Sequence, residues 1–257
     1  MIVRLAIAAL LSLLAATSAH AGPAHVEAVE TVKTILTRDI GLPLPAHVGV
    51  FIYDSREKFR QGLIDEAWVS AQGVDELAAF AVGLARPGRV LLNSRAAKAR
   101  DEWLRLVAHE LTHVAQFELA GDEGRAEQWL AEGMAEHVAY QVLERLGAGA
   151  TLARHRAEAA RRSRNQAAFA RARLDLETLG TPRGFTLRHQ KEGSVETYHL
   201  AFLMVDYLIE RDGFPRLVSY FGRLSYEHRA TAFRAAFGQS LEEFEAEVLL
   251  HLQKALD

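Results

Sequence analysis

The chain has 257 residues, of which 49% are apolar and 25% charged, and its 30 Lys+Arg against 33 Asp+Glu leave a formal charge of −3. This is ordinary globular usage with room for one or two domains, so disorder, collagen-like and coiled-coil architectures are excluded, and no basic excess marks a general nucleic-acid binder. There is no cysteine, which removes disulfides, thiolate-ligated zinc, iron–sulfur clusters and cysteine nucleophiles together, while 11 histidines remain to ligate a metal.

Met1–Arg4 is a short cationic start, Leu5–Thr17 an apolar run, and Ala19-His20-Ala21 a small-x-small cleavage pattern. The run falls short of the roughly 20 residues a spanning helix needs. A signal peptide over 1–21 is therefore expected, leaving a mature chain over 22–257 that is exported, periplasmic or secreted, without stable membrane insertion. Val26, Val29, Val32 and Leu36 recur at helical spacing over Val26–Arg38, and Gly41-Leu42-Pro43-Leu44-Pro45 stops that helix. His47–Tyr53 reads as a strand, Asp54-Ser55 as a turn and cap, and Arg56–Leu63 as a short helix. Ala78–Leu84 and Arg89–Asn93 flank Arg86-Pro87-Gly88 and read as a hairpin.

From Asp101 onward the pattern is helical. Asp101–Leu119 is one long helix, Ala120–Gly124 a loop, and Glu127–Leu146 a second helix closed by Gly147. Ser194–Asp212 is a third, stopped by Gly213, and Ser240-Leu241-Glu242-Glu243 is a capping box opening the last. Arg154–Arg173 packs seven arginines into twenty residues, with Glu158 the only acid. Such a run is either a solvated helical face or a docking surface for an acidic substrate, peptidoglycan or an anionic membrane, and the sequence leaves both open. The expected fold is α+β and compact, with a small N-terminal mixed sheet and helices over 22–100 followed by a mainly helical lobe over 101–257.

His109-Glu110-Leu111-Thr112-His113 is an H-E-x-x-H within the long helix. Residues four apart stack on one face, so the two imidazoles converge on a point, and Glu110 sits about 100° round the helix, within reach of a water there. Burying two imidazoles on this face without partners costs several kcal/mol, and a metal satisfies both. Zinc suits imidazole ligands, and a catalytic site wants three protein groups with the fourth position left for water. A third ligand is expected from a second helix, and Glu132, nineteen positions after His113, supplies it.

H-E-x-x-H, eighteen intervening residues, then Glu within W-L-x-E-G-x-A (Trp129–Ala135) resembles the gluzincin metallopeptidases, most of all the peptidase-MA-like families of exported bacterial proteins. The resemblance extends to the hairpin before the metal helix, to the aromatic-rich helix opened by Glu196-Thr197-Tyr198, and to Phe237–Phe244 as a closing G-x-S-L-E-E-F segment. It implies a thermolysin-like zincin core with one zinc per chain on His109, His113 and Glu132. Glu110 is then the general base, Glu136 orients a ligand histidine unless it is an ordinary exposed helix residue, and Tyr198, or failing it His199, donates to the oxyanion unless these are plain packing. Placing Arg89–Asn93 at the sheet edge, where an extended peptide can pair, also rests on the resemblance.

Trp129 reads as packing and His137 as a bystander or a partner to a ligand. His25, His47, His155, His189, His228 and His251 show no metal spacing and read as surface residues. The implied activity is a zinc-dependent peptidase acting on a peptide or protein through metal-activated water. An endopeptidase fits better than an aminopeptidase, because nothing resembles the G-x-M-E-N segment that holds a free amine. Two alternatives stand: a non-cleaving zinc-binding chaperone or binding module of the bacterial envelope, and hydrolysis of a non-peptide amide in cell-wall material.

Overall fold

The computed structural model describes residues 23–121, 125–164 and 173–256. The segment read as an export signal, residues 122–124 of the loop and residues 165–172 of the arginine-rich stretch lie outside the described residues. Helix α1 (Pro23–Thr34) continues into a π-helical turn, Ile35–Ile40, and stops at Gly41 with φ 81°. Val29, Val32 and Leu36 are buried but Val26 is half exposed, so the apolar stripe begins one turn later than the spacing suggests.

β1 (Gly49–Tyr53), α2 (Arg56–Asp65), α3 (Val74–Phe80), β2 (Gly83–Arg86) and β3 (Arg89–Asn93) follow. Ser55 caps α2 by accepting from the Lys58 amide. The strand order is β1-β3-β2. β1 runs parallel to β3, with Gly49 beside Arg89 and Tyr53 beside Asn93, while β2 is antiparallel to β3, with Gly83 beside Leu92.

Two expectations are corrected here. Ala78–Leu84 is not a strand: Ala78 lies in α3, one turn after Val74, and both bury into a small cluster with Phe59, Leu63 and Leu91. Strand β2 begins only at Gly83. Nor is Arg89–Asn93 the edge: Val90, Leu91 and Leu92 are consecutive apolar residues, all fully buried, and a strand apolar on both faces takes the middle of its sheet. The edges are β1 and β2, with no strand beyond either among the described residues.

The remaining chain is helical: α4 (Arg100–Ala120), α5 (Gln128–Arg145), α6 (Leu152–Ser163), α7 (Leu176–Leu179), α8 (Pro182–Glu192), α9 (Ser194–Asp212), α10 (Phe214–Arg223), α11 (Arg229–Phe237) and α12 (Leu241–Leu256). Together with the three-stranded mixed sheet this is an α+β architecture. No helix among the described residues is long and apolar enough to cross a membrane. The three long helices agree with the sequence pattern to within one residue at each end. The Ser240 capping box is present, the Ser240 amide donating to Glu243 Oε2 at 2.6 Å and the Glu243 amide to Ser240 Oγ at 3.2 Å.

α4, α5 and α9 form the centre of the helical lobe. Trp129 at the start of α5 is fully buried and stacks on Phe244 of α12, ring centroids 5.5 Å apart, so the closing segment supports α5 from behind. On α6, Arg161 and Arg162 share Glu158 at the surface, while Arg156 reaches the buried Asp206 of α9 and ties the two helices together. α5 and α9 approach so closely that a Cβ at Gly133 would sit 2.3 Å from the Ala201 carbonyl oxygen. Gly133→Ala is expected to force the helices apart at a cost of about 1–3 kcal/mol, read as a lowered melting temperature.

Candidate metal centre

α4 presents His109 and His113 towards α5, from which Glu132 projects. His109 Nε2 lies 3.1 Å from His113 Nε2 and 3.3 Å from Glu132 Oε2, and His113 Nε2 lies 3.4 Å from the same oxygen. Among the described residues these three side chains are the one group of three or more whose donor atoms are gathered closely enough to hold a metal ion.

Each donor is held from behind. His113 Nδ1 is 2.9 Å from Gln116 Oε1, and Gln116 Nε2 donates to the Ala131 carbonyl at 2.9 Å. An amide carbonyl only accepts, so His113 Nδ1 carries the proton and Nε2 a lone pair. Glu136, one turn beyond Glu132, is buried rather than exposed, and its Oε1 lies 3.1 Å from His109 Nδ1. Arg105 Nη1 donates to both oxygens of Glu136, at 2.7 and 2.9 Å. Gln128 Nε2 donates to Glu132 Oε1 at 2.8 Å, leaving Oε2 buried, without a hydrogen-bond partner and facing the imidazoles. Three lone pairs thus converge on one point. A metal cation at that point would satisfy all three.

The titration behaviour has the same origin. Burial opposes charge on His109, but Glu132 and Glu136 outweigh it and lift its pKa to about 10. Burial would raise Glu136, yet Arg105 and His109 hold it down to about 2, and the two histidines likewise hold Glu132 below the usual carboxylate range. Burial pushes the Glu110 carboxyl up, against the pull of His109 and His113. Burial, reinforced by Glu132, Glu110 and Glu136, raises Tyr198 well above its ordinary value, so its hydroxyl keeps its proton.

A cleft of about 940 Å³ runs over the centre, lined by the donors, Glu110, the β2 edge, Phe185 and Tyr198. The Tyr198 ring is 6.1 Å from that of His109 and packs edge-on against Phe185, so it belongs to both the site and the apolar stripe of α9. His199, the alternative donor, also lines the cleft, its ring 5.4 Å from that of His155. His137 faces away from the donors, its Nδ1 3.3 Å from Asp206 and its Nε2 2.9 Å from Gln141 Nε2, and braces α5 against α9.

Of the histidines expected at the surface, His47 and His228 are exposed. His155 is a correction: it is buried between Tyr140 and Phe202, and burial keeps it neutral, its pKa lowered to about 4. His25, His189 and His251 are half buried against Trp103, Phe80 and Tyr207. Sequence reasoning missed Arg105, Gln116 and Gln128. Helical spacing carried the signal, since they stand four before His109, three after His113 and four before Glu132.

The chain matches no protein-family model, no curated protein and no solved structure. Gln116→Ala and Glu136→Ala are each expected to weaken metal binding about 10- to 100-fold with helix content unchanged, measured by competition with a chromophoric chelator.

Proposed function

We propose that this protein is a zinc-dependent peptidase of thermolysin-like zincin type, an endopeptidase that acts on extended polypeptide outside the cytoplasm. The triangle of donors carries the reading. Imidazole and carboxylate bonds to tetrahedral zinc, at about 2.0–2.2 Å, set neighbouring donors about 3.3 Å apart, and the separations here are 3.1, 3.3 and 3.4 Å. Three protein donors of this kind, with a fourth position left over, suit a catalytic zinc rather than a structural one. When bound, zinc supplies Lewis acidity towards water and a scissile carbonyl.

Glu110 takes a proton from the attacking water and returns it to the departing amine nitrogen, a task favoured by a carboxyl whose pKa burial has raised. Tyr198, still protonated, donates a hydrogen bond to the oxygen that gains charge at the tetrahedral stage. The β2 edge offers main-chain groups to an extended segment of substrate. Phe80, Val82 and Val195, among the few large apolar side chains exposed on the molecule, line the cleft and suit the apolar side chains of an unfolded chain. The absence of a G-x-M-E-N segment favours internal bonds over chain ends, and the leader-like residues 1–21 support export.

Zinc-loaded protein is expected to cleave an unfolded protein substrate. Glu110→Gln is expected to keep one zinc per chain while the rate falls by about 10²-fold or more. Equal rates in the two proteins would sink the assignment of Glu110. No cleavage by the zinc-loaded wild type would favour the non-cleaving binding module.

A further inference from the structure

We infer that Gly83, the first residue of the edge strand, is a positioning residue for the Glu110 carboxylate, and that the site requires this position to have no side chain; the inference rests on the peptidase reading. A Cβ at Gly83 would lie 2.4 Å from Glu110 Oε1 and 2.7 Å from both its Cδ and its Cγ. Contact at that range is not tolerated, so an added methyl group must displace something.

The backbone does not need glycine here, since Gly83 is absent from the positive-φ residues of the chain. The requirement is steric. The strand has little freedom to retreat, because Gly83 is in register with the fully buried Leu92 of β3, and Ala85, two residues on and on the same face, is itself in the core. The helix is equally fixed, with Val107, Ala108 and Leu111 all fully buried around Glu110. What remains free to move is the Glu110 side chain. In the native protein its carboxylate is therefore confined between the bare backbone of β2 on one side and the donor imidazoles on the other. Gly83 sets how close the strand comes, and so where the proton-accepting oxygens stand.

A double-mutant cycle of Gly83→Ala with Glu110→Ala tests this, because alanine ends at Cβ and lacks every Glu110 atom that the added methyl would meet. In the Glu110 background Gly83→Ala is expected to lower kcat about 10- to 100-fold, as for a misplacement near 1 Å, with KM and zinc stoichiometry little changed. In the Glu110→Ala background the same substitution is expected to leave the residual kcat within about twofold, as expected when a shared contact has already been removed. Equal fold-losses in both backgrounds would overturn the positioning role.

A second cycle reads the contact without any activity. Gly83→Ala is expected to lower the melting temperature of the otherwise wild-type protein but not that of Glu110→Ala. Equal shifts would overturn the contact itself. Coupled melts in a wild-type protein that binds zinc and cleaves nothing would instead overturn the role by removing the peptidase reading on which it rests.

Discussion

Two histidines and a glutamate hold their lone pairs within 3.4 Å of one another in a buried space, and much of the structure follows from keeping them there. Neutral donors at this spacing repel, and an unpaired carboxylate in a dry site is costly. The chain meets this in two ways. Gln116 and Gln128 each bond the far atom of one donor and so direct the near atom to the common point, and Glu136 lies 3.1 Å from the far nitrogen of His109. Arg105 then offsets the second carboxylate by two charge-assisted bonds. The centre is left suited to one positive charge at the convergence point.

That geometry needs two helices brought close with their rotations fixed. The absence of a side chain at Gly133 allows α9 to lie directly on α5 beside Glu132, which also brings Tyr198 over the donors. Trp129, stacked on Phe244, fixes the start of α5 from the opposite side. On the other flank of α4 a second glycine, Gly83, lets the sheet edge approach Glu110. The two glycines do the same job at different places: each removes a Cβ where backbone must come near a side chain or another backbone.

Local pattern was enough for much of this. The three long helices, their stops, the Ser240 capping box and the pairing of His109 with His113 all depend on spacing along one helix or on a cap within a few residues, and the structure has them where the residues indicate. Arg105, Gln116 and Gln128 were legible by the same helical arithmetic, whereas Glu136 was drawn from the resemblance. Other features were not local. The stretch before β2 reads as a strand by composition but closes α3, because Val74 and Ala78 found a partner surface on β3. His155 looks like a surface histidine in an arginine-rich stretch, but its helix packs that one face against Tyr140 and Phe202.

By itself, then, the sequence determined the three long helices, the absence of sulfur chemistry and the convergence of His109 and His113 beside a carboxylate, because helical periodicity places those residues on or next to one face without reference to the rest of the chain. Only the tertiary structure decided which strands are the edges, which histidines are buried, how Arg105 and Glu136 are paired and what lies against Glu110. Each of those is a contact between segments far apart in the chain, set by which apolar surfaces cover one another. No spacing rule along a single element encodes that choice.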